Sequence, residues 1–167
     1  YLRNATAVLV TVNCLKNLIG DDGLATLITA VKSSSVRSIC GLVDGQTTAD
    51  FSSQKLGPMD CKIMAAEFEF RGFIAAGVED LDLSGQGLAG ATPKYGDSKT
   101  FGWENIDSNM DGFVALCAVL GTVRTVRLAD CGLGPGSVAE LSKIFSDATA
   151  VSVEVIKLDG NPIGYPS

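Results

Sequence analysis

The segment that best fits a chemical site runs from Asp107 to Val114. Oxygen-bearing side chains occupy the first, third and fifth positions of an EF-hand-like calcium loop, at Asp107, Asn109 and Asp111. Gly112 fills the sixth position, but the twelfth position, where such a loop needs a bidentate glutamate, is Ala118. We therefore expect Asp107 or Ser108 to cap a helix that starts here, and we predict no calcium site.

A second motif, from Gly85 to Gly90, matches the G-x-G-x-x-G spacing of loops that cradle phosphates. The motif is weak by itself, because three glycines at this spacing are also common in tight turns. Here it continues a repeated segment whose turn residues are accounted for without a phosphate. We therefore predict no nucleotide or other cofactor at these glycines.

The chain contains no histidine, and its five cysteines form no C-x-x-C pair. Serine or cysteine hydrolysis with an imidazole base, histidine-ligated zinc and histidine-ligated haem all lack their central residue. The cysteines are Cys14, Cys40, Cys61, Cys117 and Cys131. We expect them to pack as small apolar groups, with Cys40 nearest the surface, and their odd number favours a reducing compartment. The sequence thus predicts no catalytic and no metal-binding residues.

Composition and charge favour a protein-binding role. The length of 167 residues fits one domain, and 13 Lys and Arg against 19 Asp and Glu give a net charge of −6, which repels nucleic acid. Apolar residues make up 46% and the mean hydropathy is +0.27, yet no stretch reaches the roughly 20 apolar residues of a transmembrane segment. We interpret the apolar excess as surface that a protein partner covers.

An apolar pattern recurs along the chain. The segment 81–88 has a close copy at 49–56, an offset of 81 − 49 = 32 residues. Written apolar-x-x-apolar-x-apolar-x-x-Asn/Cys-x-apolar, the pattern starts at Leu9, Val78, Val123 and Val153, with Gln86 at the Asn position of the second copy. Helical spacing follows at Leu24, Leu27, Ile28 and Val31, at Phe113, Leu116, Cys117 and Leu120, and at Val138, Leu141 and Phe145. A looser version is Met59, Ile63, Ala66 and Phe70.

This repeat resembles the leucine-rich repeat family, in its ribonuclease-inhibitor-like subtype, over about Leu9 to Gly164. The resemblance implies an α/β fold: a short right-handed β-α solenoid, or horseshoe, with one parallel sheet in a single domain over 1–167. It implies parallel strands near Leu9–Cys14, Val36–Cys40, Val78–Leu83, Val123–Leu128 and Val153–Leu158. It also implies that a polar side chain after each strand bonds to the main chain of the turn, at Asn17, Cys131 and Asn161.

Two strand-like segments follow each other too closely for one regular parallel sheet. Val36–Gly41 and Thr48–Phe51 are only a few residues apart, whereas parallel neighbours need a crossover of about a dozen residues. The sequence leaves open which of the two segments is the regular strand of the sheet. We expect Thr48–Phe51 to pair antiparallel or to form an irregular extra segment.

A second irregularity is an insertion between the copies that start at Val78 and Val123, which are 123 − 78 = 45 residues apart. We assign it to a loop at about 91–105, which holds the only tryptophan, Trp103, with Tyr95 and Phe101. Long loops often carry function, and aromatic residues are typical anchors of interfaces. Trp103 is thus either a partner-binding anchor or a side chain that packs on its own repeat.

In the solenoid that the resemblance implies, outward strand residues form rows across the concave face of the sheet. One row runs from acidic to basic and reads Asn13, Cys40 or Asp50, Asp82, Arg127, Lys157, with Glu79 and Asp80 beside Arg124 on the next row. Neighbouring strands lie about 4.8 Å apart, so Asp82 and Arg127 are close enough to pair. The predicted partner-binding residues are Asp82, Arg127, Lys157, Trp103 and Tyr165.

The sequence predicts a non-catalytic protein–protein interaction module, a docking or accessory subunit of a larger assembly. Only 159–167 follow the last predicted strand, without a closing helix, so we expect that the chain is cut there or that a partner covers this end. A general likeness of 40–41 and 49–52 to algal and protist repeats favours a cytoskeletal or photosynthetic complex, in the cytosol or an organelle interior. The alternative is a calcium- or nucleotide-responsive regulator that uses the inserted loop.

Overall fold

The computed structural model describes residues 8–70, 73–94, 102–146 and 152–164. Within these residues the fold is α/β, with four helices, a parallel sheet of four strands and a separate two-stranded hairpin. The helices are α1 (Gly20–Lys32), α2 (Pro58–Glu69), α3 (Asp111–Leu120) and α4 (Pro135–Ser146). The strands are β1 (Thr48–Asp50), β2 (Asp80–Asp82), β3 (Thr92–Lys94), β4 (Gly102–Glu104), β5 (Thr125–Arg127) and β6 (Val155–Lys157), and a short 3-10 turn covers Ile74–Gly77.

The parallel sheet has the order β1-β2-β5-β6, so each of its strands pairs with the next one along the chain. The central residues of these strands stand in one row, Ala49, Leu81, Val126 and Ile156. The steps along the row are 81 − 49 = 32, 126 − 81 = 45 and 156 − 126 = 30 residues. The predicted offset of 32 and the predicted 45-residue spacing are confirmed as strand register, and β2, β5 and β6 lie inside the strands predicted for them.

The prediction for Thr48–Phe51 is wrong. Residues 48–50 form β1, which pairs parallel with β2 and is a regular member of the sheet. The parallel strands predicted at Leu9–Cys14 and Val36–Cys40 are not regular strands. Backbone hydrogen bonds join the two segments, but their pairing is limited to isolated bridges, parallel between Thr11 and Ser38 and antiparallel between Asn13 and Cys40.

Side chains explain why the segment after Ser38 does not continue the sheet. The carboxylate of Glu67, on α2, accepts a hydrogen bond from the amide of Ile39 at 2.7 Å. The hydroxyl of Ser38 accepts from the amides of Cys40 and Leu42 at 3.3 and 2.9 Å. Because these amides bond to side chains, they are not free to pair with a neighbouring strand.

The core lies between the sheet and the helices. The predicted inward faces of α1 and α3 are confirmed by the buried side chains Leu24, Val31, Phe113, Leu116, Cys117 and Leu120. On α4 the prediction fails for Phe145, whose side chain is 64% exposed, because Ile144 takes the inward position after Leu141. Between α2 and α3 the backbones meet at Gly112, where a Cβ atom would lie 1.7 Å from the carbonyl oxygen of Pro58.

Polar side chains fix the loops that leave the strands. The amide nitrogen of Asn161 donates to the carbonyl oxygens of Leu128 and Leu158 at 2.6 and 3.0 Å. Gln86, at the same place in an earlier copy of the pattern, accepts from the amide of Leu56 at 2.7 Å. Each side chain thereby ties its own loop to the preceding one, which holds successive strands in register.

The other two predicted turn residues have similar roles. Asn17 donates from its side-chain amide to the carbonyl oxygen of Cys14 at 3.1 Å. The thiol of Cys131 donates to the carbonyl oxygen of Leu83, on the preceding strand segment, also at 3.1 Å. The structural roles predicted for Asn17, Cys131 and Asn161 are confirmed.

Candidate functional site

The outer face of the parallel sheet carries most of the residues predicted to bind a partner. In β1, β2 and β5 the central residue is buried and its two neighbours face outward. The parallel register brings four charged outward residues into one row, Asp50, Asp82, Arg127 and Lys157. We call this row the charge ladder. It begins with two carboxylates on β1 and β2 and ends with two cations on β5 and β6, which confirms the predicted order from acidic to basic.

The member of the charge ladder before Asp82 is Asp50 and not Cys40, which is only 3% exposed. Cys40 was expected nearest the surface, and that expectation is wrong, since Cys40 lies in the core beside the buried Ser38 and Ile39. Asn13, the predicted first member, bridges to Cys40 outside the four-stranded sheet. The charge ladder therefore spans four strands, with its acidic half defined by Asp50 and Asp82.

Local hydrogen bonds orient both carboxylates of the charge ladder. Asp50 accepts from the amide of Ser52 at 2.9 Å, and Asp82 accepts from the amide of Ser84 at 3.0 Å. A hydrogen bond from the Ser52 hydroxyl lowers the pKa of Asp50, and the Ser52 amide and the positive charge of Arg127 lower it further. Asp50 is therefore ionised at neutral pH and presents a fixed negative charge at the β1 edge of the sheet.

The cations of the charge ladder form no ion pair with a described residue. Asp82 and Arg127 stand in register, but no ion pair joins them in the described part of the chain. The reason is that the Asp82 carboxylate turns toward the amide of Ser84, on its own loop. Asp82 and Arg127 thus lie on neighbouring strands, as expected, but form no salt bridge. The negative and positive charges stay separated along the sheet.

A second charged row lies just before the strands. Arg124 donates from Nε to the carboxylate of Glu154 at 2.8 Å, and more than half of each side chain is exposed. Glu154 also raises the pKa of Arg124, with smaller contributions from Glu79 and Asp80, which were predicted to lie beside it. In this second row the cation, Arg124, is paired with Glu154, unlike the cations of the charge ladder.

The predicted insertion contains an antiparallel hairpin rather than a plain loop. Strand β3 pairs with β4, and Trp103 stands opposite Pro93. The indole nitrogen of Trp103 donates to Asp130 at 2.9 Å, and its ring covers Gly132, where a Cβ atom would lie 2.8 Å from the ring. Trp103 therefore packs on the loop after β5 and is half-buried, with part of its ring open to solvent.

Three of the predicted aromatic contacts lie outside the described residues, namely Tyr95, Phe101 and Tyr165. Among the described residues of the last segment, Val155 is 41% exposed at the edge of the sheet and Ile163 is half-buried. The role of Tyr165 in partner binding stays a prediction.

The expected helix cap at Asp107 serves a different helix. Helix α3 starts at Asp111 without a side-chain cap, whereas the Asp107 carboxylate accepts from the amides of Gly134 and Gly136 at 3.1 and 2.8 Å, at the start of α4. The hydroxyl of Ser137 donates to the same carboxylate. Among the described residues, no group of three or more acidic or cysteine side chains is arranged to hold a metal ion.

The five cysteines, all buried, pack as apolar residues. Burial raises the pKa of Cys117 to about 12 and that of Cys131 to about 11. A thiol with such a pKa is almost entirely protonated at neutral pH and is a poor nucleophile. No described helix is both long enough and apolar enough to cross a membrane.

Comparison with known proteins adds no assignment. No protein-family model matches the chain, and a comparison with curated proteins gives no significant match.

Proposed function

We propose that the chain is a non-catalytic protein-docking module, similar to leucine-rich repeat proteins of the ribonuclease-inhibitor-like subtype, and that the outer sheet face is its docking surface. The repeated apolar pattern and the regular parallel pairing of successive copies support the likeness to such a solenoid. The observation that carries the docking role is the charge ladder, a row on the outer sheet face in which two carboxylates are separated from two cations.

The charge ladder favours a partner whose charges run in the opposite direction. Such a partner presents cations to Asp50 and Asp82 and carboxylates to Arg127 and Lys157. Complementary fields of this kind speed association and fix the orientation of the partner, more than they raise affinity. Because Arg127 forms no ion pair with a described residue, its charge is available for this purpose.

The distribution of reactive groups supports binding rather than catalysis. The chain has no histidine, and its cysteines are buried with high pKa values where these are resolved. The carboxylates of the charge ladder accept hydrogen bonds from their own loops. We propose an accessory role in a larger intracellular assembly, of which a cytoskeletal or photosynthetic complex is one kind, because the chain is rich in apolar residues and its free cysteines suit a reducing compartment.

The experiment reverses the basic half of the charge ladder. The full chain and its Arg127→Glu/Lys157→Glu variant are immobilised, and the proteins that each retains from a native extract are compared by quantitative mass spectrometry. Lys32→Glu, an exposed change at the end of α1, is the control for a general effect of charge. We expect a partner that the native chain and the control retain and the double variant loses.

The kinetics of that partner give the second test. Arg127→Glu is expected to slow association and to change its dependence on salt, with a smaller effect on dissociation. Retention of the same proteins in the same amounts by all three chains would refute docking through the charge ladder.

A further inference from the structure

A two-part cleft lies beneath the hairpin, and none of the charge ladder residues lines it. One part, of about 370 Å³, lies between the hairpin and the loop after β1, and the other, of about 350 Å³, extends toward the loops after β5 and β6. Both parts share Gly85, Pro93 and Trp103 in their lining, so they are joined at these residues. Each part falls within the range of about 300–1,000 Å³ that is usual for ligand sites.

The shared wall of the cleft is apolar and already in place. Pro93 and Trp103 stand directly opposite each other on β3 and β4, where side chains of an antiparallel pair are in contact range. The hydrogen bond from Trp103 to Asp130 and the contact of its ring with Gly132 fix the indole. Because the indole is already fixed, a ligand that binds against this wall loses little free energy to ordering the Trp103 side chain.

The cleft is basic although the chain as a whole is acidic. Lys55 lines one part and Lys94 lines the other, and neither ammonium group forms an ion pair with a described residue. The carboxylate in the lining, Asp130, already accepts the indole N–H of Trp103. In a chain of net charge −6, each part of the cleft thus holds one lysine without an ion pair beside the shared apolar wall.

We infer that this cleft binds an extended acidic peptide segment of a protein partner. An apolar side chain of the peptide covers the wall formed by Pro93 and Trp103, and carboxylates of the peptide lie against Lys55 and Lys94. The elongated, two-part shape fits a peptide better than a compact anion, because a phosphate at one lysine leaves the apolar wall uncovered. This site goes beyond docking on the sheet face, and either one can fail without the other.

Trp103 is the only tryptophan in the chain, so its fluorescence reports on the cleft directly. The full chain is titrated with an acetylated, amidated hexapeptide of alternating Glu and Leu, with the matched Lys and Leu peptide, and with inorganic phosphate. We expect a saturable change in Trp103 emission with the acidic peptide below about 1 mM, and none with the basic peptide or phosphate. The effect weakens as salt rises from about 0.05 to about 0.5 M, since screening reduces attraction between exposed charges.

Charge reversal separates the cleft from the sheet face. Lys55→Glu/Lys94→Glu is expected to weaken binding of the acidic peptide at least about tenfold, whereas Lys157→Glu, on the charge ladder, leaves it unchanged within about twofold. Lys55 has a backbone φ of 62°, so its substitution can disturb folding. The single variant Lys94→Glu is therefore also measured, and circular dichroism checks that each variant is folded. The inference is overturned if the acidic peptide leaves the emission unchanged, if the basic peptide binds equally, if phosphate gives the same response, or if the folded lysine variants bind normally.

Discussion

Replacing Glu67 by glutamine is expected to stabilise the fold at about pH 8 and to change its stability little at about pH 4. Glu67 is fully buried, and its Oε2 accepts from the amide of Ile39 at 2.7 Å. Its other oxygen, Oε1, is buried without a hydrogen-bond partner among the described residues. Glutamine keeps the acceptor for Ile39 and carries no charge, so the substitution isolates the cost of the buried negative charge.

The sign follows from the proton balance. Burial raises the pKa of Glu67 above its ordinary value of 4.5, and hydrogen bonds from the amide of Ile39 and the hydroxyl of Ser38 oppose part of that rise. Between the unfolded pKa and the higher folded pKa, the folded state binds more protons, so the stability of the native chain falls as pH rises through this window. The glutamine variant has no such loss. Glutamine replaces the unpaired Oε1 by an equally unpaired amide group, but an unpaired buried group costs more when it is charged, so we expect a gain on the order of 1 kcal/mol at about pH 8.

The assay is urea denaturation at several pH values between about 4 and 8, followed by circular dichroism, with Glu69→Gln as the control. Glu69 is on the same helix but exposed, so its substitution tests the change of net charge without the buried site. Below the window the Glu67 variant and the native chain should agree within about 1 kcal/mol. A difference between them that does not change with pH, or a variant that is less stable at about pH 8, would refute the reasoning.

Three further predictions concern packing, a helix end and thiol reactivity. Asp107→Ala should cost about 1–2 kcal/mol in urea denaturation because α4 loses its cap, and the exposed Asp111→Ala less than about 1 kcal/mol; equal losses would contradict this assignment. Gly112→Ala should lower the free energy of unfolding by about 1–3 kcal/mol or more, since its Cβ would lie 1.7 Å from the oxygen of Pro58; an unchanged urea midpoint would show that the helices separate freely. Cys117 and the other four cysteines should react with a thiol reagent only after unfolding, and prompt labelling of the folded chain would contradict their burial.

The register of the sheet was predictable because its signal is local and repeated. The copies at 49–56 and 81–88 align residue by residue, and Ala49 does pair with Leu81. Once the register is known, the outward residues of each strand follow from the alternation of side chains in a strand. That is why the order of Asp82, Arg127 and Lys157 on one row could be read from the sequence.

The sequence predictions fail where a group forms a hydrogen bond with a residue far away in the chain instead of the local one that the pattern predicts. The segment at Ile39 matches the strand pattern, but its amide is taken by Glu67, which lies 28 residues further along the chain on α2. Likewise, Asp107 fits a local rule for capping α3, but its carboxylate accepts from Gly136, 29 residues away. Local spacing carries no information about such partners, so only the packed fold reveals them.

The cleft beneath the hairpin was only partly predictable. The sequence singled out Trp103 and the insertion that carries it. It gave no sign that Lys55, in an earlier loop, and Lys94 line one cleft, because the 45-residue step between β2 and β5 hides which loops the hairpin reaches. The hydrogen bond from Trp103 to Asp130 joins the hairpin to the loop after β5.

Site-specific photo-crosslinking tests most directly whether the outer sheet face is the docking surface. A photoreactive residue replaces Thr48 on β1 or Thr125 on β5, which face outward beside the charge ladder without removing a charge, or Thr29, exposed on α1, as the control. In native extract, we expect the two sheet positions to crosslink the same partner and Thr29 not to crosslink it. Crosslinks to that partner from the helix position, with none from the two sheet positions, would contradict this expectation.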